Sequence, residues 1–481
     1  MIYCLRFEKA GVNMVKNFLS NKMKWLLCLA VMTCGFFVGS INASGAEPIP
    51  LRGIVEGFYG TPWTQEKRLD MLKFCADHNL NAYIYAPKDD PYHRAKWREP
   101  YPQDKLADLQ ELVKTAKANN VRFIFAISPG LDIELSGYRG VLDRVAMEKK
   151  LMAMYDLGVR DFAIFFDDIK NKDGRGQAEF LNWVNEHFIA KHADVAPLIT
   201  VPTEYFRQDM EKNGSIKEYT RDFSQTLDKN ILVLYTGEKV VPDGLSDTDY
   251  QAASSLYGRK LGVWWNYPVS DYLEAKLALG PVEKLPQDSV IPAIFFNPMK
   301  HAELSKISLS TAADYAQNPG NYDAVKSWHK AIKDLYGNLA PAMENFADHS
   351  QHMVVSWAVI GPEDGAALRV LLNEYWQADS PADKQSKQEK VVQELTKLDN
   401  SLDTLERQLL PQQLAECQPQ LAQLRRIIKA DLTGLTVLAG DKAKAESFKQ
   451  ELAEVKTHDK TERISETCAR AFLNELAGHI K

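Results

Sequence analysis

From Leu51 onward, short runs of apolar, β-branched and aromatic residues alternate with longer stretches whose apolar positions recur every three or four residues. The short runs predict strands over Leu51–Glu56, Ala82–Tyr85, Arg122–Ile127, Asp161–Phe166, Leu198–Val201, Ile231–Tyr235, Leu261–Trp265 and Val290–Phe296. The longer stretches predict helices such as Thr64–His78, Asp104–Asn119, Gly140–Leu157 and Gln177–His192. In the first of these, Leu69, Leu72, Phe74 and Cys75 keep helical spacing while Lys and Asp take other positions. Eight strand–helix units over about 250 residues predict an α/β fold, a closed (β/α)8 TIM barrel rather than an open doubly wound sheet.

Beyond about Asn345 the pattern changes. Val391, Leu395, Leu398, Leu402, Leu405 and Leu409 step by four and three, the spacing of a packed helix seam. Pro411 interrupts it, and Leu421, Leu424, Ile428, Leu432 and Leu435 resume a second seam. Two such seams predict an antiparallel all-α bundle with a structural role. The chain thus divides into residues 1–46, a barrel domain over 47–345 and a C-terminal helical domain over 346–481.

Residues 1–46 have another character. Lys16, Lys22 and Lys24 precede the apolar run Trp25–Val38, and small residues follow up to Ser44-Gly45-Ala46. That order is the order of a secretory signal peptide, and the run is short for a span of about 20 residues. The expected product is exported, periplasmic or secreted, with no stable membrane span after cleavage. Of six cysteines, Cys75, Cys417 and Cys468 remain; they are widely spaced and odd in number, which predicts buried free thiols. A formal net charge of −6 argues against nucleic acid as a partner.

Polar residues follow the strands directly. Gly57 and Tyr59 follow the first, Lys88, Asp89 and Asp90 the second, and Asp167 and Asp168 the fourth. Glu204 and Tyr205 follow the fifth, Asn266 and Asp271 the seventh, and Asn297 the eighth. In a barrel all strand C-termini open on one face, so six segments would supply one pocket.

The pair Asp167-Asp168 is the sharpest feature. Adjacent carboxylates repel, which predicts a raised pKa for one of them. Three readings fit: a polar strand end capping a turn, a divalent-metal site, or acid/base work on a sugar. Metal binding would draw on Asp89, Asp90 and Asp271, but no recognisable ligand spacing is present. Lys88, Asn266, Asn297, Tyr59, Tyr205 and Trp264 instead make a hydrogen-bonding, aromatic-walled site of the kind that holds sugars. A two-carboxylate double displacement needs groups on opposite faces of the ring, about 5 Å apart. Neighbouring residues suit action on one side, with a 2-acetamido oxygen as nucleophile, one carboxylate on its N–H and the other on the leaving oxygen. A barrel that only binds glycans is the alternative.

The segments LRGIVEGFYGTPW (51–63), YIYAPKDDPYH (83–93), FAIFFDDI (162–169), VPTEY (201–205), WWNYPVSDY (264–272) and FNPMKHAELSKI (296–307) together resemble glycoside hydrolase family 84, the bacterial β-N-acetylglucosaminidases similar to eukaryotic O-GlcNAcase. The resemblance implies a (β/α)8 barrel and exo-acting, retaining, substrate-assisted hydrolysis of terminal β-linked N-acetylglucosamine, with no metal or other cofactor, on a carbohydrate or glycoprotein partner. It implies that Asp167 polarises the acetamide and that Asp168 is general acid, then base. Tyr205 would hydrogen-bond near the acetamide oxygen. Gly57 through its carbonyl, Lys88, Asn266, Asp271 and Asn297 would hold hydroxyls and acetamide, and Tyr59 and Trp264 would wall the site. Val201 stands where Cys is common and Tyr235 where Trp is common, changes that bear on substrate preference more than on chemistry.

Overall fold

The computed structural model describes residues 47–480, which form one compact unit; the leader expected over 1–46 lies outside the described residues. Eight parallel strands close into a barrel: β1 (Leu51–Glu56), β2 (Ala82–Tyr85), β3 (Arg122–Ile127), β4 (Asp161–Phe165), β5 (Ile199–Val201), β6 (Leu232–Tyr235), β7 (Gly262–Trp265) and β8 (Ala293–Phe296). They pair in sequence order, and β1 meets β8 with Leu51 opposite Ala293. The last strand begins later than its apolar run, which opened at Val290. Pro292 has no N–H to give a ladder, and Val290 is exposed.

Side-chain alternation sorts each strand into two cores. Val55, Ile84, Ala126, Ala163, Phe165, Leu234, Trp264 and Phe295 pack together inside the barrel. Their neighbours Ile54, Tyr83, Ile127, Ile164, Tyr235, Trp265 and Phe296 join the outer core beneath the helices. Adjacent Trp264 and Trp265 therefore serve opposite faces, as alternation requires.

The predicted helices lie at Gln65–Asp77, Gln103–Ala118, Gly137–Asp156 and Gly174–His187. Thr64 caps the first by accepting from the Lys67 N–H, and Met71, Leu72, Phe74 and Cys75 form its buried face. The two leucine seams occupy helices Pro381–Gln408 and Pro411–Leu438. Pro411 does not merely interrupt; it opens the second helix, where its missing N–H costs nothing. Glu416 on that helix pairs with Lys67 at 2.8 Å, and Gln420 donates to the Ala275 carbonyl at 3.0 Å, so the bundle is tied to the barrel. Cys75, Cys417 and Cys468 are buried free thiols. No helix among the described residues is long and apolar enough to cross a membrane.

One buried group works against the bundle. Asp431 is fully buried, neither carboxylate oxygen has a hydrogen-bond partner, and burial pushes its pKa well above the ordinary value. The folded state holds this proton while the unfolded state releases it, so stability is lost as pH rises above the ordinary carboxyl range. Asp431→Asn is expected to stabilise the protein by about 1–2 kcal/mol at pH 8, with the gain vanishing near pH 4. Calorimetry at the two pH values checks this.

Candidate active site

At the C-terminal ends of the barrel strands lies a cavity of about 380 Å³. Gly57, Tyr59, Lys88, Asp167, Asp168, Tyr205, Trp264, Asn266, Asp271 and Asn297 all line it, so the residues singled out from six strand ends meet in one place. Asp89, Asp90 and Glu204 follow strands too but lead elsewhere. Asp89 accepts the Gly60 N–H, Asp90 accepts the phenols of Tyr85 and Tyr101, and Glu204 is held by Lys172 and Thr220.

The two adjacent carboxylates share the cavity because the strand stops at the right residue. Alternation turns Phe165 inward, Phe166 outward and Asp167 inward. A continued strand would turn Asp168 outward. The chain instead makes a turn, with Asp168 at φ 55°, a left-handed conformation that Asp tolerates better than most residues. The Asp168 side chain is thereby brought back beside its neighbour.

Their environments then diverge. Asp167 forms a buried ion pair through Oδ2 with Lys88 Nζ, whose side chain is 2 % exposed. Asp167 Oδ1 is buried and has no hydrogen-bond partner within the protein. Asp168 accepts the Tyr59 hydroxyl at 2.7 Å on Oδ2 and the Tyr205 hydroxyl at 2.8 Å on Oδ1. Burial would raise the Asp168 pKa. The charge of Lys88, the two phenol donors and Arg94 outweigh it and hold the carboxyl below its ordinary value. The expected upward shift from repulsion therefore does not occur at Asp168, because a cation and two donors stand between the pair and its cost. Tyr59 and Tyr205 are raised in turn, by burial first and then by Asp168.

The walls are fixed by their own network. Trp264 Nε1 donates to Asn266 Oδ1 at 2.7 Å, Asn297 Nδ2 donates to the same oxygen at 3.0 Å, and Asn266 Nδ2 donates to the Val240 carbonyl at 2.8 Å. Trp264 stands edge-on to Phe165 at 5.5 Å, and its ring lies so close to Gly57 that a Cβ there would meet Cη2 at 2.6 Å. Gly57 is thus required by the ring beside it. Lys88 Nζ lies 5.9 Å from the Tyr59 ring centre and 5.8 Å from that of Trp264, within cation–π range of both. Asp271 accepts the Tyr59 N–H at 2.8 Å, and burial raises its pKa.

Several lining groups were not singled out from the sequence. Thr236, Val240 and Val241 come from the loop after β6, Val269 and Tyr272 from the loop after β7, and Trp357 from beyond the barrel. Trp357 occupies the turn of a hairpin formed by Met353–Val355 and Ala358–Ile360. Val201 faces the cavity, whereas Tyr235 belongs to the outer core, so only the first of the two departures touches the site. Arg94, one residue past the YIYAPKDDPYH segment, donates to the Asp168 carbonyl at 3.4 Å, and its guanidinium lies 5.4 Å from the Tyr59 ring centre.

A sequence model described as beta-N-acetylglucosaminidase matches residues 52–348, and one described as hyaluronidase post-catalytic domain-like matches residues 367–473. The chain is 30% identical over 294 residues to the Protein O-GlcNAcase of Mus musculus, covering 58% of this chain and 31% of that one. The chain thus spans about a third of the length of the curated relatives it matches. Among solved structures, CpGH84B superposes with a TM-score of 0.83 at 39% identity, over 89% of this chain and 77% of that one. An O-GlcNAc hydrolase of Thermobaculum terrenum, solved as the D120N mutant, superposes with a TM-score of 0.78 at 29% identity, over 89% and 94%.

Proposed function

The chain belongs to the β-N-acetylglucosaminidase family, glycoside hydrolase family 84, and on that premise we propose that it removes terminal β-linked N-acetylglucosamine by substrate-assisted hydrolysis. The observation that carries this reading is Asp167. One oxygen is neutralised by Lys88, and the other is a buried acceptor with no partner in the protein, lining a cavity walled by Trp264 and Tyr205. An acetamide N–H supplies the donor that such an acceptor lacks.

With the N–H held by Asp167, the acetamide carbonyl oxygen gains electron density and attacks the anomeric carbon. The bond to the leaving oxygen breaks as Asp168 gives that oxygen a proton. A cyclic oxazolinium ion remains, its N–H still held by the Asp167 carboxylate, and Asp168, now a carboxylate, takes a proton from the water that opens it. Both displacements invert the anomeric carbon, so the configuration is retained. Asn266, Asn297 and Asp271 hold the sugar's polar groups while Tyr59 and Trp264 cover its C–H faces. Asp168 must carry a proton when substrate arrives, although two phenols favour its charged form in the free pocket. A bound sugar that draws one phenol to itself and displaces water shifts the balance toward the protonated form.

The test uses purified protein on 4-nitrophenyl N-acetyl-β-glucosaminide and the matching β-glucoside. Hydrolysis of the first alone is expected. Binding without release would make the protein a glycan-binding barrel. Rates that stay constant as the acetamide is fluorinated to mono-, di- and trifluoroacetamide would exclude the acetamide as nucleophile.

The phenols offer a further check. For a general acid, kcat/KM falls as pH climbs through the free-protein pKa. Tyr59→Phe removes a donor to the charged form of Asp168, so that pKa rises. The descending limb of the kcat/KM profile is expected to move to higher pH, even as the maximum drops. We further propose, on the strength of the leader-like residues 1–46, that the protein is exported; mass determination of the exported chain's N-terminus tests it.

A further inference from the structure

The mouth of the cavity is built partly by a segment remote from the barrel. Trp357 is 47% exposed, and its ring centre lies 5.2 Å from that of Tyr272. At the base of the same hairpin is an ion cluster that the proposed chemistry does not use. Lys276 and Asp364 are both fully buried, with Lys276 Nζ 3.0 Å from Asp364 Oδ2 and 3.2 Å from Glu466 Oε2. Asp364 Oδ1 accepts the backbone N–H groups of Gln351 and His352, each at 3.0 Å, where the chain enters the hairpin. Its Oδ2 also accepts the Glu466 N–H at 3.0 Å, and its own N–H donates to Thr467 Oγ1 at 2.8 Å.

One carboxylate therefore gathers three stretches of chain. They are the loop that carries Asp271, Tyr272 and Lys276, the hairpin that carries Trp357, and the segment leading into helix Ala469–His479. A buried ion pair is weak evidence for net stability, since apolar residues of the same volume often do as well. What it specifies is one relative placement of the chains that share it. Here those chains hold the two rings that meet at the cavity mouth.

Resting on the exo-acting reading above, we propose that the Lys276–Asp364–Glu466 cluster positions Trp357 against Tyr272 and thereby sets which aglycones the site accepts. A terminal sugar occupies a blind pocket, so whatever it is attached to must leave through the mouth. The exposed rings there, Tyr59 and Trp357, are what that attached group meets. Flat rings of this kind bind an extended polypeptide through its C–H groups and peptide planes, whereas a methyl aglycone is too small to reach across them. The C-terminal region thus takes part in specificity through a positioning cluster that lies outside the cavity lining.

The experiment compares kcat/KM for a serine-linked N-acetylglucosaminyl peptide with that for methyl N-acetyl-β-glucosaminide, two substrates with similar alkoxide leaving groups. Asp364→Asn is expected to lower the peptide-to-methyl ratio about tenfold. Trp357→Ala is expected to lower it by a similar factor, and the double variant no further than Trp357→Ala alone. Glu466→Gln, at the half-buried edge of the cluster, is expected to give a smaller fall of the same sign and covers the case where Asp364→Asn does not fold. An unchanged ratio in a folded variant overturns the proposal. So does a cluster variant that lowers the ratio equally in the Trp357→Ala background. Failure of the unaltered protein on both substrates overturns the hydrolase reading instead.

Discussion

Asp168→Asn is expected to lower kcat/KM about 10²- to 10⁴-fold for N-acetylglucosaminides with alkoxide leaving groups, and only a few-fold for activated aryl glycosides. An alkoxide cannot depart without a proton, whereas a nitrophenolate can, so losing the acid is felt in proportion to leaving-group basicity. Asparagine is the right replacement for physical reasons. Position 168 has φ 55°, which asparagine accepts and alanine does not without strain. Its carboxamide oxygen can still accept from Tyr59 or Tyr205, so the loop need not move. A plot of log kcat/KM against leaving-group pKa, made for the variant and the unaltered protein, reads the effect. A steeper slope in the variant is the expected result. Parallel lines would mean that Asp168 is not the proton donor.

The strands and most of the residues that line the cavity were legible because both follow from local pattern. Runs such as FAIFF and LVLY have no helical period, and in a barrel a strand's C-terminal end is also an address. Alternation alone sorts the two tryptophans of β7 and, applied to β6, turns Leu234 inward and Tyr235 outward. Trp357 was hidden for the opposite reason. The segment MVVSWAVI offers two strands of three residues around a two-residue turn, within a region dominated by leucine seams. Its place over the cavity depends on Lys276 and Asp364, which are 88 residues apart and show no joint signal. Arg94 and Tyr272 reach the site by loop conformation, which spacing does not encode. The electrostatics of the pair were likewise out of reach: repulsion between Asp167 and Asp168 is a sequence fact, but its outcome is decided by Lys88, Tyr59 and Tyr205, from three other strands.

That division of partners makes the two aspartates separable by experiment, and the second variant carries the larger share of the mechanism. Asp167→Asn is expected to lower turnover about 10²- to 10⁴-fold for alkyl and activated aryl substrates alike. Attack by the acetamide precedes departure of every leaving group, so an easier departure cannot rescue it. The asparagine also loses the charge that Lys88 faces, and an unpaired ammonium with a 2 % exposed side chain is strongly disfavoured. A fall in thermal midpoint is therefore expected together with the loss of turnover. Lys88→Met in the Asp167→Asn background removes the orphaned charge and should recover much of that stability while recovering no activity. Recovered stability without turnover shows that the loss does not come from the orphaned charge of Lys88. Turnover that returned with stability would mean that Asp167 only balances Lys88, and the acetamide would need another partner. A loss confined to poor leaving groups would exchange the roles of the two carboxylates. The leaving-group plot that tests Asp168 therefore also tests its neighbour: a changed slope marks the proton donor, and an unchanged slope with a lower intercept marks the residue that holds the acetamide.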